Sequence, residues 1–87
     1  MPLFLISYDL IRPEKDYPDD LVSTLRNIGA RRILLSEWMI KSPLDVSDLF
    51  DRVWIGGNLD TKDKLIVVEV NAWTASQNID MKGLEFG

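Results

Sequence analysis

The sequence contains no cysteine and no histidine among its 87 residues. The first absence excludes a disulfide framework and thiolate zinc sites; the second removes the commonest general base and metal ligand. Any chemistry must come from carboxylates, tyrosine, serine, lysine and arginine. Long apolar runs are missing as well. The stretch Met1-Pro2-Leu3-Phe4-Leu5-Ile6 is too short to span a bilayer and lacks the basic flank of a secretory signal. The expectation is a cytoplasmic chain with no membrane partner.

With 46% hydrophobic and 28% charged residues, the composition is that of a folded domain. A chain this short buries only about 60% of the surface its unfolded form exposes, so self-association is an accessible source of further stability. No two-domain cleft can form, and a site must lie on a surface, at a sheet edge or between protomers. The 14 acidic residues outnumber the 10 basic ones, and the net charge of -4 opposes non-specific nucleic-acid binding unless the bases cluster.

Leu3 to Asp9 is an apolar run without Gly or Pro and reads as a strand buried on both faces. Pro13 makes Leu10 to Asp16 a loop. A first helix is predicted to begin near Tyr17 to Asp19, with Pro18 in its first turn and Asp19 and Asp20 favourable to its positive end. Leu21, Val22, Leu25 and Ile28 form its apolar stripe, and Gly29 stops it. Ala30 to Lys41 is rich in strand formers but has no turn signal, leaving open a hairpin near Leu35-Ser36-Glu37 or one bent strand. In Ser42-Pro43-Leu44-Asp45, Ser42 is the predicted cap of a second helix, Pro43 its first residue and Asp45 its capping-box acid. Val46, Leu49, Phe50 and Val53 supply the stripe, Gly56-Gly57 the end, and Lys64 to Val70 a final strand.

This order predicts an α+β, ferredoxin-like βαββαβ fold: an antiparallel sheet with two helices on one face. Residues 1–71 form the domain and residues 72–87 a weakly patterned tail. Because the first and last strands are apolar on both sides, the face without helices needs a cover, and the expected cover is a second copy, sheet to sheet in a homodimer. Trp38 and Trp73 are the interface candidates, Trp73 through a tail added to the partner's sheet edge.

Tyr8-Asp9, at the end of the first strand, is the most suggestive pair. A carboxylate is a ligand for a hard ion such as Mg²⁺, and a two-fold dimer turns one Asp9 into two. The plain alternative is that Asp9 ends the strand and solvates the loop. Arg31 and Arg32, with Arg12 and Lys41, offer a basic strip for phosphates, but neighbouring strand residues point to opposite faces, which favours ion pairs over one patch. Asp60 and Asp63 read as turn residues, because the other ligands of a calcium loop are missing.

These segments resemble the CRISPR-associated Cas-two family, small ferredoxin-like dimers that accompany the Cas-one integrase. The resemblance rests on the strand ending in Tyr8-Asp9-Leu10, Asn27-Ile28-Gly29, Ala30-Arg31-Arg32-Ile33, Ser36-Glu37-Trp38-Met39-Ile40 and the apolar strand after Asp63. It spans about residues 3 to 70. It implies a homodimer in which Asp9 from each protomer is catalytic and holds Mg²⁺ for phosphodiester cleavage. Tyr8, Arg12, Arg31 and Arg32 are then nucleic-acid contacts, and a Cas-one integrase is a partner. In the loop from Leu10 to Asp20 acids exceed bases, where the family has a basic stretch. A toxin-type ribonuclease akin to virulence-associated protein D lies within the same resemblance, and a non-catalytic dimerisation or adaptor module is the reading from another class.

Overall fold

The apolar run at the N-terminus becomes a central strand. In the computed structural model, which describes residues 1–12 and 20–84, β1 (Leu3–Asp9) is followed by α1 (Asp20–Asn27), β2 (Arg31–Leu34), β3 (Glu37–Lys41), α2 (Val46–Gly56) and β4 (Lys64–Glu69). The four strands form one sheet in the order β2-β3-β1-β4, every pairing antiparallel. The fold is a small α+β architecture compatible with the ferredoxin-like arrangement. No helix among the described residues is long and apolar enough to cross a membrane.

Alternation along the strands sorts the side chains into two layers. Phe4, Ile6 and Tyr8 of β1 and Trp38 and Ile40 of β3 face the helices, where they meet Leu21, Val22 and Leu25 of α1 and Leu49 and Val53 of α2. This is the main core. Half of the predicted α2 stripe is in it, Leu49 and Val53, while Phe50 is half-buried and stacked on Trp54 with ring centroids 5.7 Å apart and Val46 at the first turn is exposed.

One open reading is resolved, and one local signal turns out differently. The stretch from Ala30 to Lys41 is a hairpin turning at Leu35-Ser36, with a register irregularity between Arg32 and Leu34. The cap of α2 is Asp45 rather than Ser42: its Oδ1 accepts from the Asp48 amide at 2.8 Å from an extended backbone. Ser42 Oγ accepts from the Leu44 amide at 3.1 Å and closes a turn ahead of the helix, which leaves Pro43 outside it. Both oxygens are competent acceptors, but only Asp45 stands three residues before an amide that the first turn leaves free. The predicted beginning of the first helix, with Pro18 and Asp19, lies outside the described residues.

The tail packs on the sheet. Trp73, Met81 and Leu84 lie on the helix-free face of their own protomer's sheet, against Leu3, Leu5, Ile33 and Met39. Trp38 departs from its expected interface role. At 1% exposure it belongs to the protomer's own core and has almost no surface to offer.

The helices approach closely where α2 ends. A Cβ on Gly57 would lie 2.8 Å from the Val53 carbonyl oxygen and 2.9 Å from Leu21 Cδ1, so a methyl group clashes with the last turn of α2 itself and with a buried leucine of α1. Gly57→Ala is expected to destabilise the domain by about 1–3 kcal/mol, read as a lower urea midpoint with an unchanged m-value.

Candidate functional site

Asp9 owes its place to β1's alternation. Leu3, Leu5, Ser7 and Asp9 share the face away from the helices, and the last of them emerges where the strand ends. Across the antiparallel ladder Asp9 pairs with Lys64 of β4, and Ser7 lies between Glu37 of β3 and Ile66 of β4. Directly opposed residues in such a ladder have side chains on one face. Ser7, Asp9, Lys64 and Ile66 thus border a shallow hollow of about 220 Å³. Ser7 Oγ donates to Glu37 Oε2 at 3.3 Å. Asp9 and Lys64 are exposed, and among the described residues neither side chain makes a hydrogen bond or ion pair.

The strand exit is held by a different acid. Asp63 is only 5% exposed; its Oδ1 accepts from the Ile11 amide at 2.9 Å and its Oδ2 from the Asp60 amide at 2.8 Å. One carboxylate so fastens the chain leaving β1 to the chain entering β4. It stands beside Lys64 and fixes the backbone two residues beyond Asp9.

The other expected site residues do not gather around Asp9. Tyr8 points through the sheet to the helix side, is buried, and its hydroxyl accepts from Trp38 Nε1 at 3.1 Å and from Arg32 at 3.5 Å. The guanidinium of Arg32 sits 5.3 Å from the centre of the Trp38 ring, and its Nε donates to the Leu35 carbonyl at 2.9 Å, bracing the hairpin. Arg31 is on the opposite face, where it donates to the carbonyl oxygens of Asp80 and Lys82 in the tail. Arg12 forms an exposed ion pair with Asp60 at 3.0 Å. Lys41 is opposite Leu3, at the other end of β1 from Asp9. The basic strip is therefore not assembled within the protomer: the period of two separates Arg31 from Arg32, and each of the three arginines already holds a structural contact.

Lys64 is the residue that the one-dimensional pattern does not mark as part of a site. Its signal is its place at the first position of the last strand, which the β1–β4 register converts into proximity to Asp9.

The donor chemistry can be tested against a metal ion. Among the described residues no three acidic, histidine or cysteine side chains group together as a metal site, and at this hollow the unengaged carboxylate that one protomer offers is Asp9. That is too few oxygens for Ca²⁺, but Mg²⁺ keeps several waters and binds through one or two carboxylates with substrate phosphates. Asp9 fits a Mg²⁺ site if a second copy supplies another Asp9.

No family model and no curated protein matches the chain.

Proposed function

We propose that the protein acts as a Cas-two-like, ferredoxin-fold homodimer in which paired Asp9 carboxylates hold Mg²⁺ against a phosphodiester of a nucleic acid. The observation that carries this reading is the state of Asp9: an unengaged carboxylate, on the sheet face that the helices leave open, beside an equally unengaged cation. Acids nearby are committed elsewhere, Asp63 to two backbone amides and Asp60 to Arg12.

When bound, Mg²⁺ would polarise a phosphoryl oxygen and make a water more acidic, which a site without histidine needs. Asp9 of each protomer would hold the ion. Lys64 would steady a phosphate oxygen as a point charge, and Asp63 would keep the Asp9 end of the strand from fraying. RNA and DNA are both substrates to be assayed.

The engaged arginines favour a second reading, a non-catalytic dimerisation or adaptor module, because a phosphate-binding strip would have to draw on side chains already occupied. One experiment separates the two. Purified protein is incubated with single-stranded RNA and duplex DNA, with Mg²⁺ or with EDTA, beside Asp9→Ala and Lys64→Ala. Mg²⁺-dependent cleavage is expected to fall roughly a hundredfold or more in Asp9→Ala, the loss of several kcal/mol of charge stabilisation, and less in Lys64→Ala. Cleavage that survives in Asp9→Ala at the parent's rate, or no cleavage of either substrate, overturns the catalytic reading. Cleavage of RNA alone points to the toxin-type ribonuclease.

A further inference from the structure

The sheet face turned away from the helices has two surfaces. On the β2–β3 side and over the first half of β1, Ile33, Met39, Leu3 and Leu5 are packed beneath Trp73, Met81 and Leu84, and both Leu3 and Met39 are only 3% exposed. Toward β4 the cover stops: Ile66 is 56% exposed. The ladder makes these one continuous surface, since Leu5 stands between Met39 and Val68, and Ser7 between Glu37 and Ile66. The tail occupies its half through a small clasp. Arg31 donates to the Asp80 carbonyl at 3.4 Å and to the Lys82 carbonyl, with the Asp80 carboxylate 3.9 Å away, and Trp73 Nε1 donates to the Leu84 carbonyl at 3.1 Å.

We propose that residues 73–84 form a strap that limits self-association by covering the apolar half of the face onto which a second copy packs. The inference rests on the homodimer reading given above. With the strap down, the open strip is narrow: Ser7, Ile66 and Val68, edged by Asp9 and Lys64, is well short of the roughly 800 Å² per partner of a stable interface. With the strap lifted, Leu3, Leu5, Ile33, Met39 and Val70 join Ile66 and Val68 in a single apolar surface, which water disfavours and a second copy can cover. Lys64 flanks Asp9 on the same rung, so at a two-fold the cations offset the repulsion between the paired Asp9 carboxylates. The ionic part of the clasp is weak, because the Arg31 and Asp80 side chains are 40% and 80% exposed and solvent screens them. The strap thus competes with a partner for the same side chains.

The test is sedimentation velocity on the full-length chain over a concentration series, for the parent, Trp73→Ala and Asp80→Lys, with far-UV circular dichroism on each. Trp73→Ala removes the strap's largest apolar contact; Asp80→Lys sets a second positive charge beside Arg31 at an exposed position outside the core. Both variants are expected to associate more tightly than the parent, Trp73→Ala by about tenfold in dimer dissociation constant, equivalent to about 1.4 kcal/mol, and Asp80→Lys by a smaller factor. A parent that dimerises with variants that associate equally or more weakly overturns the strap and leaves the dimer standing. A parent and variants that all remain monomeric overturn both. Should Trp73→Ala lose its folded spectrum, Asp80→Lys alone decides.

Discussion

Trp38→Ala is expected to lower the stability of the domain by about 4 kcal/mol, a large part of the total for a protein of this size. The side chain is the largest that is fully buried, at 1% exposure, in β3 between β1 and β2. Its removal leaves a void that Phe4, Ile6 and the helix residues cannot fill without moving backbone. It also takes away the indole N–H that the Tyr8 hydroxyl accepts, and the ring beneath Arg32. The Tyr8 hydroxyl keeps Arg32 as a donor, so this part of the loss is that of one hydrogen bond, about 0.5–1.5 kcal/mol. Trp38→Phe keeps most of the volume and is expected to cost less. Because Trp38→Phe and Tyr8→Phe remove the same hydrogen bond, the double variant should be less destabilised than the sum of the singles by about 1 kcal/mol. Urea unfolding followed by far-UV circular dichroism measures all four variants without relying on the fluorescence of the ring removed. A loss below about 1 kcal/mol for Trp38→Ala, within the range of ordinary surface changes, would show that the ring is not part of the core.

The second large effect belongs to Asp63. Replacement by alanine strands the amides of Ile11 and Asp60, each bonded to a carboxylate oxygen. Hydrogen bonds to a charged group contribute about 1.5–3 kcal/mol each, and the loss is expected near about 3 kcal/mol after partial hydration of the loop. Asp63→Asn has the same shape but only one acceptor oxygen, so it can serve one amide and should fall between parent and alanine. Hydrogen exchange supplies a local readout. The Ile11 and Asp60 amides should lose protection in Asp63→Ala well before the centre of β1 does, and equal loss throughout would mean that the carboxylate supports the whole fold rather than the strand exit.

Much of the architecture is legible in the one-dimensional pattern because its signals are local. Leu3 to Asp9 and Leu65 to Val68 are apolar runs bounded by charge, and Gly57 ends the second helix. The position of Asp9 follows from where the first run stops, and its face from counting by twos. What stays hidden depends on contacts distant in sequence. Asp63 reads as a turn residue because a carboxylate's partner 52 residues away leaves no mark on its neighbours. Lys64 becomes a neighbour of Asp9 only through the β1–β4 register. The tail shows no period, since Trp73, Met81 and Leu84 reach the sheet from irregular backbone and a helical or strand spacing never arises. The hairpin is similarly silent. Leu35-Ser36 carries no Gly, Pro, Asn or Asp, and the reversal is braced by the Arg32 guanidinium from outside the turn.

The strand order has a kinetic consequence. β1 is interior to the sheet, with a ladder on each side, whereas β4 is an edge strand with one. Interior strands open only with the global unfolding of a small domain, while edge strands fray on their own at lower free energy. Asp9, however, lies past the last β1–β3 pair at Ser7 and pairs only with Lys64, so the two residues share the one ladder that can open with the edge strand. Carboxylate and ammonium stand on one rung, and a bound group would meet them as a pair that moves together, steadied at its base by Asp63.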